Sequence, residues 1–427
     1  MFDNLFKVEE YTSLLFFTGC IALLAAVVPV ICRRKHISAP VVYLLVGFVV
    51  FFFFSDLEID LDDHLKTVEH ITEFVIFVAL ANAGIRITEP FKWRTWKNAF
   101  WLLAVTMPIT IIGAAFIGHW FLGFGPATAV LFGGLIAPTD PVLASELQTS
   151  EPGAPDKSQI KLGLTAEAGI NDGIAFPFIW LGIYIATKGE NYGDWLVPWF
   201  LFEFVYKIAA GVIVGLITGY LLYRAIFLVS RNVETVGAIS RGILSLALLL
   251  LPYALAEMVS GYGFLAVFFS ACIFSNSKRN LEHASSLHDF NEELESFVVA
   301  LIFIVSGFFI AINYENILDF HVLLTALAMV LVVRPIAGYI GLLGRKINPF
   351  QRFVLSFYGL RGIGSIYYLA FALGAAAFAD RTKLISVTTA TILLSVIVHG
   401  LSARTIKKYI RKYDWQASEQ KNTETVL

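Results

Sequence analysis

The sequence has 427 residues, of which 57% are hydrophobic and only 15% charged, with 31 Lys and Arg against 33 Asp and Glu. Soluble domains carry about 45–50% apolar and about 25% charged residues. A soluble protein is therefore excluded, because so few polar residues could not cover its surface. The near-neutral charge balance argues against a nucleic-acid partner. We expect an all-α membrane protein, since helices satisfy their own backbone polar groups in lipid.

About thirteen apolar runs are candidates for membrane-spanning helices, because a bilayer core of about 30 Å requires roughly 20 apolar residues. The runs cover residues 11–31, 39–54, 65–85, 96–121, 127–147, 160–186, 197–227, 239–258, 262–274, 294–312, 318–342, 350–378 and 384–406. Spans one to six and eight to thirteen then form two six-helix halves that begin on opposite faces of the membrane. Such inverted repeats are common in secondary transporters.

The positive charges predict the orientation of these spans. Of the 31 Lys and Arg residues, 23 fall on one side of the membrane, five on the other and three within spans. The positive-inside rule places the richer side in the cytoplasm. We therefore expect a multi-pass protein of the cell membrane, with its N-terminus outside. The short tail at 407–427 would be cytoplasmic and either disordered or lying on the membrane surface.

Two prolines interrupt the fifth span. Pro138 and Pro141 each remove a helix N–H and crowd the carbonyl one turn back, so we expect an unwound segment within the membrane. Such a break presents free carbonyls and helix ends to a cation, and Asp140 and the Thr139 hydroxyl lie beside it in sequence. The plainer alternative is a kinked helix with a satisfied aspartate.

The sixth span carries two acidic residues and an amide. Glu167 and Asn171 lie at i and i+4 on one helix face, and Asp172 is turned about 140° from Glu167. Removal from water favours the neutral form of a carboxyl group, and carboxylate oxygens also suit a hard cation. A single carboxylate could thus hold a proton or a cation but not both, as exchange requires. The alternative is two acids that only hold helices together.

The second half of the chain contains two arginines within predicted spans. Arg334 stays charged and needs a carboxylate partner in the membrane, for which Glu167 is the candidate. Gly359, Gly362 and Gly364 permit a second helix break, in the twelfth span, at the position that corresponds to the break in span five. Arg361 lies in this break and would either offset the negative end of a helix or anchor at the cytoplasmic interface.

These motifs resemble those of a known transporter family. Residues 139–141 and 167–173 resemble the paired motifs of the monovalent cation:proton antiporter-1 family, the group of NhaP-type antiporters and Na+/H+ exchangers. Residues 334–335, 359–362 and 399–402 are also similar to that family. The resemblance implies the NhaA/NhaP-like fold with broken crossing helices, and a homodimer. It further implies a core of about 96–187 and 318–406, a dimerisation part of about 11–86 and 239–312, and a linker helix at about 197–227.

The resemblance also implies roles for single residues. Asp172 would carry Na+ or H+, with Asp140 and Thr139 as its companions across the broken helices. Asn171 would mark the electroneutral type of antiporter, and Glu167 with Arg334 would form a structural ion pair. One position departs from the pattern: Ala168 stands where many relatives have Ser directly after the Glu. This departure leaves the identity of the cation open.

We therefore predict a secondary antiporter, without a cofactor, that exchanges Na+ or Li+ for H+ by alternating access, with cation and proton competing for Asp172. K+/H+ exchange by the same fold is the alternative. Two intramembrane aspartates also suit an aspartyl protease, but the sequence lacks the Gly-x-Gly-Asp motif of such enzymes. A passive channel is the other remote alternative. The expected partners are the exchanged ions, the lipid bilayer and a second copy of the chain.

Overall fold

The structure of the protein is a computed structural model. It describes residues 10–35, 37–51, 53, 61–144, 147–150, 152, 158–189, 191–232, 240–276 and 281–426. Within these ranges every regular element is a helix, in agreement with the all-α prediction.

We number the helices α1 to α14 in chain order. The first seven are α1 (Glu10–Lys35), α2 (Ala39–Phe51), α3 (Leu61–Arg86), α4 (Trp93–Trp101, π-helical Leu102–Thr106 and Met107–Trp120), α5 (Pro126–Ile136), α6 (Gln159–Lys188) and α7 (Tyr192–Trp199, π-helical Phe200–Tyr206 and Lys207–Asn232). The remaining helices are α8 (Arg241–Met258), α9 (Gly263–Ser275), α10 (Leu281–Ile312), α11 (Phe320–Ala328, π-helical Met329–Val333 and Arg334–Gly341), α12 (Pro349–Phe357), α13 (Ile363–Ala375) and α14 (Arg381–Val426), with a single helical turn at Tyr314–Ile317.

Eight of the described helices are long and apolar enough to cross a membrane, and five more are apolar but shorter. The shorter ones include α2, α5, α9 and α13. The expectation of a disordered tail is wrong for the backbone, because α14 continues without interruption through 407–426. A basic helix rather than an irregular segment therefore follows the last apolar stretch.

The π-helical segments of α4 and α11 have a local cause in the sequence. Pro108 and Pro335 each follow a π-helical segment by two residues. A proline ring crowds the carbonyl four residues earlier, and that carbonyl lies within the π-helical segment in both helices. The wider π turn accommodates the ring without ending the helix. The helix of Arg334 is thereby kept continuous past the proline that follows it.

Two helix breaks meet in the middle of the bundle. α5 ends at Ile136, so this helix covers only the first half of the predicted fifth span at 127–147. The twelfth span is divided into α12 and α13, with residues 358–362 non-helical. The backbone N–H of Asp140 donates to the carbonyl oxygen of Leu360 over 2.7 Å. This hydrogen bond joins the two unwound segments directly.

The helix that follows the first break packs closely on a neighbour. α6 lies against α5 and also against α9, while α13 packs on α3. Gly169 and Gly173, one turn apart on α6, face Phe268 and Leu265 of α9. A Cβ at either glycine would overlap those side chains. The lack of a side chain at these two glycines therefore allows α6 to pack closely on α9, and Gly173 directly follows Asp172 in the sequence.

Candidate ion-binding site

The carboxylate of Asp140 is engaged by backbone amides from both broken segments. Its Oδ1 accepts hydrogen bonds from the N–H groups of Val142, over 2.8 Å, and Leu143, over 3.1 Å. Its Oδ2 accepts from the N–H of Ile363, the first residue of α13. A Cβ at Gly362 would overlap this carboxylate, which explains the glycine. Asp140 therefore caps the N-terminus of α13, where a negative charge is favoured.

Arg361 provides the complementary contact at the end of α5. Its Nε donates to the carbonyl oxygen of Ile136 over 2.7 Å, and its Nη1 donates to the carbonyl of Gly359. Its backbone N–H donates to the hydroxyl of Ser395 over 2.8 Å. The side chain is fully buried. The sequence suggests two roles for Arg361, at the negative end of a helix or at the cytoplasmic interface. The structure favours the first role, because the guanidinium contacts the C-terminal end of α5.

Glu167 and Arg334 lie in direct contact, as the sequence predicts. Arg334 Nη2 lies 2.7 Å from Oε1 and 3.0 Å from Oε2 of Glu167. Both side chains are buried. A Cβ at Gly359 would lie 2.5 Å from Arg334 Nε. Glycine in the second break therefore gives the guanidinium its space beside the ion pair.

The carboxylate of Asp172 differs from the other two. It is 1% exposed, and neither of its oxygens accepts a hydrogen bond from the described residues. A Cβ at Gly364 would lie 3.2 Å from its Oδ1, so α13 passes close to it. The hydroxyl of Tyr368 donates to the backbone carbonyl of Asp172 over 2.6 Å. Asp172 is thus a buried anion held in place through its backbone, with its own oxygens unengaged.

A side-chain hydrogen bond joins the unwound segment after α5 to α6. Asn171 Nδ2 donates to the hydroxyl oxygen of Thr139 over 2.6 Å. Pro138 and Pro141 flank the unwound residues, as their spacing predicts, and the carbonyl of Pro141 accepts from Gln148 over 2.7 Å. The oxygen of the Asn171 amide has no donor among the described residues. The hydrogen bond thus holds Thr139, the residue before Asp140, against Asn171, the residue before Asp172.

We call the place where the two unwound segments meet the crossing. Five acidic and basic side chains at the crossing carry a net charge of −1 when ionised. Three are carboxylates and two are guanidinium groups, and all are at most 3% exposed: Asp140, Glu167, Asp172, Arg334 and Arg361. Buried charges require compensation within the protein. One further unit of positive charge would balance this site.

Two residues whose hydroxyl groups contact the site, Tyr368 and Ser395, were not among the sequence candidates. Tyr368 lies four residues after Gly364 on one face of α13, a spacing that could have suggested it once the second break was assigned. No sequence signal marks Ser395, whose hydroxyl reaches the break from α14.

A sequence comparison then identifies the family. Residues 21–408 match the family described as "Sodium/hydrogen exchanger, transmembrane". The chain belongs to this family. The match covers both helix breaks and all five buried charges of the crossing.

Individual members of the family are similar along most of the chain. The Na(+)/H(+) antiporter NhaG of Bacillus atrophaeus is 24% identical, with 95% of this chain and 76% of the relative aligned. The Na(+)/H(+) antiporter NhaH of Halobacillus dabanensis is 28% identical over 71% of this chain and 76% of its own. The K(+)/H(+) antiporter NhaP2 of Shewanella oneidensis is 24% identical over 80% of this chain and 58% of its own.

A solved structure of the family has the same fold. The sodium proton antiporter MjNhaP1 from Methanocaldococcus jannaschii superposes with a TM-score of 0.69 at 21% identity. The superposition covers 94% of this chain and 99% of that one. The antiporter fold expected from the sequence motifs is therefore confirmed as the fold of this chain.

Proposed function

We propose that this protein is a secondary active antiporter that exchanges Na+ or Li+ for H+ across the membrane by alternating access. The observation that carries the proposal is the buried carboxylate of Asp172, whose oxygens accept no hydrogen bond from the described residues. An unpaired buried anion is costly, and either a proton or a cation removes that cost. The two ligands therefore compete for one group, which is the condition for coupled exchange.

The charge of the crossing supports electroneutral exchange. The five buried side chains sum to −1 when Asp172 is ionised, so either one proton or one monovalent cation brings the site to neutrality. The site would then have the same charge in both loaded forms. Asn171, an amide in place of a second acid, keeps this balance. We infer a stoichiometry of one cation for one proton.

The other residues of the crossing would position the ion. Thr139 and Asp140 lie in the break beside Asn171, and we assign them with Asp172 to the cation site. The backbone amides that hold the Asp140 carboxylate fix its place and leave its negative charge close to the site. Glu167 and Arg334 would anchor α6 to α11 and take no part in ion binding.

The wider architecture belongs to the same proposal. We propose thirteen membrane spans in two inverted halves, an outside N-terminus and a cytoplasmic basic tail at 407–427. We further propose a homodimer, in which a core of about 96–187 and 318–406 moves against a dimerisation part of about 11–86 and 239–312, with 197–227 as the linker. The broken α5 and the divided α12–α13 segment occupy corresponding positions in the two halves, which supports the repeat.

The experiment is an ion-exchange assay in proteoliposomes. A proton gradient is imposed, and its dissipation is recorded after addition of Na+, Li+ or K+, with the membrane voltage clamped or free. We expect Na+ and Li+ to dissipate the gradient equally with and without the clamp. Asp172→Asn should abolish the response, whereas Asp289→Asn, at an exposed position of α10, should keep it. Retained exchange in Asp172→Asn would refute the assignment.

K+/H+ exchange is the second candidate, because of Ala168. Its buried methyl group stands one turn before Asp172 and offers no oxygen to a cation. Fewer fixed oxygen ligands reduce the advantage of a small ion over a larger one. NhaP2, a similar protein, is a K(+)/H(+) antiporter by name. A gradient dissipated by K+ in preference to Na+ in the same vesicles would establish this alternative.

The family assignment favours transport over the intramembrane protease and the passive channel considered from the sequence. A protease requires two carboxylates that share one proton around a water, whereas the Asp140 oxygens are occupied by backbone N–H groups. A channel would conduct without coupling, so a counter-ion requirement in the vesicle assay separates it from an antiporter.

A further inference from the structure

A cavity of about 720 Å³ opens beside the crossing, and the charged residues of its lining are chiefly positive. Its described lining includes seven Lys and Arg side chains but one carboxylate, that of Glu292. We call it the basic cavity. Its volume lies within the range of about 300–1,000 Å³ that is typical of ligand sites. So high a density of one charge in a concave site creates a strong field for ions of the opposite sign.

One wall of the basic cavity is a charged stripe on α14. Arg404, Lys407, Lys408 and Arg411 all line it, at the spacing that places residues on one helix face. Like charges at this spacing destabilise an isolated helix by about 0.2–0.5 kcal/mol per pair. The neighbouring Lys412 does not line the cavity. All four residues of the stripe therefore border one space, where Arg404 Nη1 also donates to the backbone carbonyls of Cys32 and Arg33.

The other cationic residues of the lining come from three further helices. Arg33 lies at the end of α1, Arg86 at the end of α3 and Lys161 in the first turn of α6. Lys161 is 9% exposed and donates to the Ser150 hydroxyl over 3.4 Å. The N-terminus of α6 adds its own positive potential. Cationic groups from four helices therefore converge on one volume, which a scatter of surface charges would not do.

The basic cavity adjoins a second cavity that reaches the crossing. This smaller cavity of about 140 Å³ shares Arg86, Val142 and Glu292 with it and extends to Pro141, next to Asp140. Among the charged residues that line the smaller cavity, Glu292 and Glu295 outnumber Arg86. The excess of positive charge therefore belongs to the basic cavity.

We propose that the basic cavity binds a phosphate-bearing anion, either the headgroup of an anionic phospholipid or a soluble polyphosphate. Phosphate oxygens accept several hydrogen bonds at once, and Arg and Lys are the side chains that bind them best in proteins. The side of the membrane on which the cavity opens rests on the orientation proposed above. The binding itself does not depend on the proposed exchange.

Two matched pairs of variants test the site. Arg33→Gln removes a lining charge and Arg34→Gln a neighbouring charge that does not line the cavity. Arg411→Gln and Lys412→Gln form the same kind of pair on α14. Pyrophosphate binding to the purified full chain is measured by titration calorimetry, in choline salts so that no exchanged cation is present. Lipid binding is measured by native mass spectrometry after extraction from phosphatidylcholine nanodiscs with and without phosphatidic acid.

We expect at least one of the two probes to bind to the unmodified protein. Arg33→Gln and Arg411→Gln should each weaken that binding at least about tenfold, the equivalent of one charge-assisted hydrogen bond. Arg34→Gln and Lys412→Gln should leave it within about twofold, since they change only the general charge. Binding of pyrophosphate alone would identify a soluble anion, and retention of phosphatidic acid alone would identify a headgroup. Both results support the site.

Three results would overturn the proposal: no binding of either probe, equal losses in the lining and control variants, or full binding by Arg33→Gln and Arg411→Gln. The residues on α1 and α14 are tested separately, so misfolding of one lining variant, detected by size-exclusion chromatography, leaves the other as the test. None of these readouts requires an ion gradient. A failure here is therefore distinct from a failure of the exchange assay.

Discussion

Arg361 donates a hydrogen bond from Nε to the backbone carbonyl oxygen of Ile136 over 2.7 Å, which places a guanidinium at the C-terminal end of α5. Asp140, just after that end, accepts the N–H of Ile363 and so places a carboxylate at the N-terminal end of α13. Each charge has the sign that its helix end favours. The two broken segments thus stabilise each other, and Asp172 lies beside the joint.

The first prediction concerns this joint. Arg361→Gln should lower the midpoint of thermal unfolding and abolish exchange, because it removes a buried charge-assisted hydrogen bond worth about 1.5–3 kcal/mol. Arg361→Lys should be intermediate, since an ammonium keeps the charge but cannot reach two carbonyls in the same geometry. Arg352→Gln, a half-buried position on α12, is the control. Wild-type stability in Arg361→Gln would contradict the structural role.

The second prediction separates structure from ion binding at Glu167 and Arg334. Glu167→Gln or Arg334→Gln should each destabilise the protein by about 3–5 kcal/mol, because each leaves one buried charge unpaired. The double variant should be less destabilised than the sum of the two, as a thermal-unfolding cycle would measure. A folded double variant should retain part of its exchange activity. Additive losses, or a stable but inactive double variant, would argue against a purely structural pair.

The third prediction uses two glycines on α13. Gly364→Ala would place a methyl group 3.2 Å from Asp172 Oδ1, closer than such contacts normally allow, and should displace the carboxylate. We expect the KM for Na+ to rise about tenfold, equivalent to about 1.4 kcal/mol, with a larger effect for K+ because it needs more room. Gly374→Ala, where open space surrounds the position, should leave the KM unchanged. Equal effects of the two variants would indicate a general loss of helix stability instead.

The fourth prediction addresses ion selectivity at Ala168. Ala168→Ser would add a hydroxyl oxygen one turn before Asp172, on the buried side of α6. We expect the KM for Na+ and Li+ to fall relative to that for K+, by about three- to tenfold for one added oxygen ligand. The measurement is gradient dissipation as a function of each cation. Ala186→Ser, near the end of the same helix, is the control. Unchanged relative KM values would show that residue 168 does not contact the ion.

The sequence was sufficient for the parts of the site that depend on local chemistry. Pro138 and Pro141 predict an unwound segment regardless of how the fifth helix packs, and glycines indicate the second break. The partnership of Glu167 and Arg334 followed from the cost of an unpaired charge in the membrane. These inferences needed no knowledge of how the helices pack.

The remaining features depend on packing and were beyond the sequence. The Asp140 contact with Ile363 and the Ser395 contact with Arg361 join residues far apart in the chain. These contacts are determined by how the helices pack at the crossing, and no local sequence motif indicates them. The engagement of the Asp140 oxygens by backbone amides could not be foreseen from residue types. The convergence of basic residues in one cavity was equally invisible, since the positive-inside rule explained them individually as determinants of orientation.

The central claim, that one carboxylate holds either a proton or a cation, is tested most directly by counting protons. Na+ is added to the purified protein in weakly buffered detergent solution, at a pH where Asp172 is protonated, and the protons released and the Na+ bound are both measured. We predict about one proton released per Na+ bound, an apparent Kd for Na+ that rises by up to about tenfold per unit fall in pH, and neither signal in Asp172→Asn. Na+ binding without proton release, or release that persists in Asp172→Asn, would contradict the account.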